Sequence, residues 1–168
     1  MKELEEYRVS LMQKLEEMAK AFRTEALAVR DPYASLEDDH WNVHQIAVHT
    51  RDVDKLVYGL RVRRTAMEDD PEFSNFDGEA YMAAHYEASE SLSELLDGFV
   101  ENVEALIELL RALPPEGWSR LSRHITLGRS LTLQSWVEKD LAHIQEHLET
   151  LKKQNRKSSL SDSHRDSV

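Results

Sequence analysis

The stretch LTLQSWVEKDLAHIQEHLETLKK, residues 131–153, decides how the rest of the chain can be interpreted. Its apolar residues recur every three or four positions, which is the spacing of an amphipathic helix. His143 and His147 lie four residues apart, so one face of this helix carries both imidazoles, one turn from each other. Such a pair can bind one metal ion, although the spacing alone is more typical of histidines at the edge of a helix surface.

Three further stretches have helical apolar spacing, and these are residues 2–22, 39–66 and about 79–113. Ser35 to Asp38 resembles an N-terminal capping box ahead of the second helix, and Thr132 is placed to cap the fourth. Four amphipathic helices predict an all-α fold, a four-helix bundle over residues 1–153. The core of such a bundle can host metal ligands from facing helices.

The remaining segments lack this periodicity. Residues 114–130 form a polar and irregular connection of 17 residues, long for a bundle, which hints at a functional role. His124 within it is predicted to be structural or to face solvent. Residues 154–168, QNRKSSLSDSHRDSV, are polar and aperiodic, so we expect a disordered C-terminal tail.

Composition and charge exclude several classes of protein. The 168 residues include no cysteine, which rules out disulfides, thiolate metal sites and a cysteine nucleophile. Any metal must therefore use His, Asp or Glu. A net charge of −11 argues against nucleic acid as a partner and leaves a small-molecule substrate as the expectation. No apolar run approaches the ~20 residues of a membrane span, and the charged N-terminus is unlike a signal peptide, so cytoplasm is the default location.

The second predicted helix carries an apolar stripe that includes Val53, Val57 and Leu60. His49 precedes Val53 by four positions and points into this stripe, whereas His40 and His44 fall on the polar face. His49 could be a hydrogen-bonded core histidine. Alternatively, together with His143 and His147 it could form a three-histidine site with an open position for water, the pattern of catalytic zinc.

Asp140 falls in the apolar sector of the fourth helix, three residues before His143. A core-facing carboxylate is costly unless it is paired. It could orient a ligand histidine through the second ring nitrogen, or form a salt bridge elsewhere. A rival metal site would use Glu37 with His40, and Asp140 with His143, spaced like the Glu-x-x-His pairs of di-iron bundles. The first of these pairs, however, lies at a helix start.

Two segments of the chain resemble the DinB/YfiT-like metalloenzymes. One is WNVHQIAVHTRDVDKLVYGL, residues 41–60, and the other is WSRLSRHITLGRSLTLQSWVEKDLAHIQEHLETL, residues 118–151. The resemblance implies a four-helix bundle in which one histidine on the second helix and two on the fourth bind a divalent metal, usually zinc or nickel. By motif these are His49, His143 and His147. Thr150 departs from the glutamine that relatives often have there.

The resemblance also implies a reaction class. Characterised relatives include S-transferases and isomerases that use a low-molecular-weight thiol, so we expect a metal-dependent enzyme that activates water or such a thiol, as a hydrolase or thiol S-transferase. The alternative is a non-catalytic metal- or ligand-binding bundle that acts in interaction or dimerisation; a homodimer is the family analogy. Arginines close to the motifs that could bind a thiol's carboxylates are Arg51, Arg120, Arg123 and Arg129.

Overall fold

The computed structural model describes the backbone of residues 2–165 and the side chains of residues 2–160. Its helices are α1 Lys2–Leu27, α2 Val43–Val53, α3 Gly59–Met67, α4 Gly78–His85, α5 Leu92–Ala112 and α6 Leu133–Arg165. Its strands are β1 Glu72–Phe73, β2 Leu121–His124 and β3 Gly128–Thr132. A π-helical turn, Asp54–Tyr58, joins α2 to α3, and a 3-10 helix spans Pro115–Ser119.

The bundle consists of four long helical rods. The first is α1, the second is α2 with the π turn and α3, the third is α5 and the fourth is α6. α1 packs against α5 and α6, while α2 packs against α5 and α3 packs against α6. The largest fully buried side chains come from all four rods, and they include Phe22, Ile46, Phe99 and Trp136. The predicted all-α four-helix bundle is confirmed. Within the part of the chain described, no helix is long and apolar enough to cross a membrane.

The second rod begins later than predicted. Asn42 caps α2, its side chain accepting the Gln45 N–H at 2.9 Å while the Gln45 side chain accepts the Asn42 N–H at 3.0 Å. This reciprocal pair is a capping box, and it replaces the one expected at Ser35 to Asp38. The fourth helix begins as predicted, because Thr132 Oγ1 accepts the Ser135 N–H at 3.1 Å.

The third predicted helix, residues 79–113, is interrupted. α4 ends at His85 and α5 begins at Leu92, where Ser91 provides the N-cap. Ser and Asp favour caps over helix interiors, since their side chains bind nearby backbone N–H groups. Ser91 does so here and Asp77 does so at the start of α4, so one predicted helix becomes two.

The connection over residues 114–130 is not irregular. β2 and β3 form an antiparallel hairpin, and β1 adds a parallel edge through the pairing of Phe73 with His124. Gly128 has φ +96°, a left-handed conformation that suits glycine in a hairpin loop. The resulting three-stranded sheet lies beside α6, where Ser122 Oγ accepts the Trp136 indole N–H at 2.8 Å.

α6 continues to Arg165, within the stretch 154–168 for which the sequence predicts a disordered tail. Contacts with the rest of the chain account for the extension. Asn155 Nδ2 donates to the Glu25 carbonyl oxygen at 2.9 Å, and Lys157 Nζ donates to Asp38 Oδ2 at 2.9 Å. Residues 166–168 of the predicted tail lie outside the described residues.

The π turn changes which side chains of α3 face the core. The prediction puts Leu60 in the buried stripe, but Leu60 is 44% exposed and Arg61 is only 8% exposed. One extra residue in a helical turn rotates everything after it by about 100°. Gly59 makes the turn possible, because its N–H donates to the Asp54 carbonyl and a Cβ there would lie 2.6 Å from that oxygen.

Replacement of Gly59 by alanine should therefore destabilise the bundle. The new methyl group has no room against the Asp54 carbonyl oxygen, and overpacking of this kind costs about 1–3 kcal/mol. Urea unfolding monitored by circular dichroism measures the free energy of unfolding.

Gly98→Ala is the matched control. A Cβ at Gly98, inside α5, meets nothing within 4 Å, so alanine should raise the free energy of unfolding by up to about 1 kcal/mol. Equal effects of the two substitutions would contradict the steric account of the π turn.

Candidate metal centre

Three histidines from facing helices converge at one point. His49 comes from α2, and His143 and His147 come from successive turns of α6. His143 Nε2 lies 3.2 Å from His49 Nε2 and 3.2 Å from His147 Nε2. Among the described residues these three form the group of His, Asp and Glu side chains whose donor atoms could hold a metal ion. All three are half-buried.

The spacing of the nitrogens fits a divalent ion. Imidazole nitrogens bind zinc at about 2.0–2.1 Å, so two of them at tetrahedral corners lie about 3.3 Å apart. The two 3.2 Å separations agree with that value. A neutral imidazole has one donor and one acceptor nitrogen, and His143 Nε2 faces two other ring nitrogens at once. A cation between the rings would satisfy all three lone pairs.

The histidines are held in the neutral form that metal binding requires. Burial, followed by the neighbouring His147, lowers the pKa of His49 to about 4. Burial and the two neighbouring imidazoles lower the pKa of His143 to about 3. Burial also lowers the pKa of His147. At neutral pH the cluster therefore presents unprotonated nitrogens rather than three repelling cations.

His49 is clamped from two sides. The Trp41 ring lies 4.5 Å from the His49 ring, centroid to centroid. On another side the backbone of Gly78 approaches so closely that a Cβ there would lie 2.9 Å from His49 Cε1. Of the three tryptophans, Trp118 and Trp136 are core residues, whereas the half-buried Trp41 packs against His49.

Asp140 is fully buried, as its position on α6 predicts, but it does not orient a histidine. Neither of its oxygens is hydrogen-bonded to a histidine, and Nδ1 of His143 has no hydrogen-bond partner among the described residues. Asp140 instead neighbours Asp54, which is also buried. Burial raises the pKa of both carboxyls, and the proximity of Asp54 raises that of Asp140 further. The pair therefore retains a proton near neutral pH.

The outward placement of His40 is confirmed, but that of His44 is wrong. His44 is fully buried, its Nε2 donating to the Glu90 carbonyl and its Nδ1 accepting from the Tyr86 hydroxyl, both at 2.9 Å. The Tyr33 ring stacks on it at 4.9 Å. Segments outside the helix thus cover a face that looks polar on the helix alone.

The rival di-iron arrangement does not form. Glu37 is exposed and ion-paired with Lys157, and His40 contacts Asp39 and Glu79. The metal-capable group found among the described residues contains neither Glu37 nor His40.

An open cleft of about 390 Å³ adjoins the three histidines. His49 and His143 form one part of its wall, with apolar and aromatic neighbours from the second rod and the loop after β1. The cleft-lining residues are His49, Val53, Val57, Tyr58, Arg61, Asn75, Phe76, Gly78, His124, Leu127 and His143. A small molecule in this cleft could reach an ion held by the histidines.

The four arginines suggested by the sequence do not line this cleft. Arg51, Arg120 and Arg123 each pair with a nearby carboxylate, and Arg129 is exposed. Arg61 lines the cleft instead, together with His124. Arg61 follows Val57, a member of the predicted buried stripe, by four residues, so helical spacing is the signal that could have indicated it.

Comparisons with known proteins agree with this architecture. A solved structure described as "YfiT from Bacillus subtilis is a probable metal-dependent hydrolase with an unusual four-helix bundle topology" superposes with a TM-score of 0.79 and 20% sequence identity. The match covers 92% of this chain and 89% of that one, and it shows a shared fold. No curated protein sequence matches the chain significantly. Residues 2–151, however, match the DinB superfamily, and on this evidence the chain belongs to that superfamily.

Proposed function

We propose that this protein is a metal-dependent enzyme in which His49, His143 and His147 hold a divalent ion, with zinc or nickel the best candidates. The observation that carries the proposal is the convergence of three neutral imidazole nitrogens at the wall of an open cleft. Imidazole ligands suit both metals. The description of the similar Bacillus subtilis protein as a probable metal-dependent hydrolase supports the same chemistry here.

The reaction we propose is attack on a small-molecule substrate by water or by a low-molecular-weight thiol. A divalent ion, when bound, would lower the pKa of either nucleophile. Residues of the chain would position the histidines and shield the substrate from water. Trp41 and Gly78 hold the His49 ring in place, and apolar cleft residues such as Val53, Val57 and Phe76 would exclude water around a bound substrate.

Metal content tests the proposal directly. Untagged protein prepared without chelator should contain about one equivalent of metal by plasma mass spectrometry. His49→Ala, His143→Ala and His147→Ala should each lose it, because two imidazoles bind an ion far more weakly than three. His85→Ala is the control, since His85 is an exposed histidine on α4 that should not affect the metal content.

Turnover then separates the two reactions. The metal-loaded protein is assayed with activated esters, and with a chloronitrobenzene in the presence and absence of thiol. Ester cleavage without thiol would indicate hydrolysis, and thiol-dependent turnover of the chloronitrobenzene would indicate thiol transfer. Either activity should be lost in His143→Ala. If no metal is retained, and none binds at micromolar concentration, the proposal fails and a non-catalytic binding bundle takes its place.

Gly78→Ala should weaken metal binding about tenfold or more. The added Cβ would lie 2.9 Å from His49 Cε1, so the ring must leave the position at which its nitrogen meets the other two. Competition with a zinc-binding dye gives the dissociation constant. Gly98→Ala, which adds the same methyl group in open space, should leave that constant unchanged. A Gly78→Ala protein with unaltered zinc affinity would show that the ring has room to move.

In the metal-free protein, the contribution of the histidine cluster to stability should fall as the pH drops from about 6.5 to about 4. In this window the unfolded chain protonates His49 and His143, because an unperturbed histidine has a pKa of about 6.5, while the folded protein keeps both neutral. This contribution to the free energy of unfolding decreases by at most about 1.4 kcal/mol per pH unit for each histidine. The buried Asp54 and Asp140, whose pKa values are raised, act in the opposite direction as they take up protons.

Urea unfolding at a series of pH values, in the presence of chelator, measures this slope. His143→Gln removes one titrating group from the cluster, so lowering the pH should destabilise this variant less than the wild type. Identical slopes would mean that His143 titrates alike in the folded and unfolded chains.

A further inference from the structure

Arg61 is a buried cation without a carboxylate partner. It is 8% exposed, and among the described residues no Asp or Glu forms an ion pair with it. Its Nη2 donates to the Ser74 carbonyl oxygen at 2.9 Å, whereas its Nε and Nη1 donate to no described protein atom. The guanidinium is fixed in place by the Trp136 ring, 4.7 Å away. The Nε and Nη1 groups lie at the wall of the open cleft without a partner in the described part of the chain, so they are available to a bound anion.

His124 adds a second donor at the same place. Its Nδ1 accepts the backbone N–H groups of Thr126 and Leu127, at 3.2 and 3.3 Å. A neutral imidazole so bound carries its proton on Nε2, and burial and the nearby Arg61 lower its pKa, which favours the neutral form. Nε2 lies 3.2 Å from Arg61 Nη2, and the Ser74 carbonyl oxygen, which accepts from Arg61, is also a hydrogen-bond partner of His124.

Both donors belong to the cleft that also contains His49 and His143. The Tyr58 ring links the two parts, its centroid lying 5.7 Å from that of His143 and 6.0 Å from Arg61 Cζ. Val57, Phe76 and Leu127 provide apolar wall. The cleft therefore offers nitrogen ligands in one part, hydrogen-bond donors with positive charge in another, and apolar surface alongside.

We propose that Arg61 and His124 bind the carboxylate of a small organic acid whose apolar body lies along the cleft towards the three histidines. A planar guanidinium whose Nε and Nη1 groups are free to donate can bind a carboxylate through a pair of N–H groups. In a chain of net charge −11, most of the surface repels anions, so this buried cation would select the acid's orientation. The inference rests on the proposed function only in assigning this acid as the substrate of the same cleft.

Binding to the metal-free protein tests the subsite without the metal. The probes are 3-phenylpropanoate and its neutral analogue 3-phenylpropanamide, compared by isothermal titration calorimetry. The acid should bind at least tenfold more tightly than the amide. Arg61→Met keeps the apolar stem over Trp136 but removes the donors, and it should abolish the preference.

Arg64→Met is the matched control, because Arg64 lies on the same helix, pairs with Glu68 and does not line the cleft; it should keep the preference. Equal affinities of acid and amide for the wild type, or an unchanged preference in Arg61→Met, would overturn the proposal. Should Arg61→Met fail to fold, guanidinium NMR of the wild type decides: the Arg61 Nε–H resonance should shift with the acid and not with the amide. A resonance that both probes leave in place would overturn the subsite.

A second pair of probes distinguishes this inference from the proposed function. Succinic acid monohydroxamate and butyrohydroxamate share a metal-binding head and differ in a terminal carboxylate. Tighter binding of the carboxylate member to zinc-loaded protein, lost in Arg61→Met, supports the subsite. Equal binding of both overturns the subsite and leaves the metal centre standing. Acid preference in a protein that binds no metal keeps the subsite and removes the metal centre.

Discussion

The contact between His49 and His143 depends on the second rod lying along α6, and much of the molecule is arranged to keep it there. The rod is started by the Asn42 and Gln45 capping box and packs through α3 against α6. In the middle of the rod the π turn inserts one extra residue. Gly59 allows this turn because it has no Cβ to collide with the Asp54 carbonyl oxygen. The buried carboxyls of Asp54 and Asp140 lie where the two elements meet. The three histidines and the two buried carboxyls are therefore concentrated at the contact between the second rod and α6.

The three-histidine cluster could be predicted from helical periodicity together with the family resemblance. Four-residue spacing puts His143 and His147 on one face, and His49 falls in the buried stripe of its own helix. The pattern of a single helix does not show which other segments cover it. The prediction for His44 is wrong for that reason, because Tyr33, Tyr86 and Glu90, which cover it, come from other segments. The short strands of the sheet escape prediction because two to five residues carry little periodic signal.

Arg61 shows a different limit of sequence reasoning. A helical pattern assumes that every turn holds 3.6 residues, and the π turn breaks that assumption just before α3. Leu60 then turns outward, and Arg61 lies buried at the wall of the cleft with His49 and Val53. Insertions of this type are frequent at functional sites, and here the insertion brings a guanidinium into the cleft beside the three histidines.

The separation of the ligands along the chain has a mechanical consequence. His49 and His143 are 94 residues apart in sequence, so an ion shared between them closes a long loop, as a disulfide would. The unfolded chain loses conformational entropy when such a loop is tied. In a protein without cysteine, an ion held by these histidines would act as a reversible cross-link, and the concentration of free metal would then set how strongly the fold is stabilised.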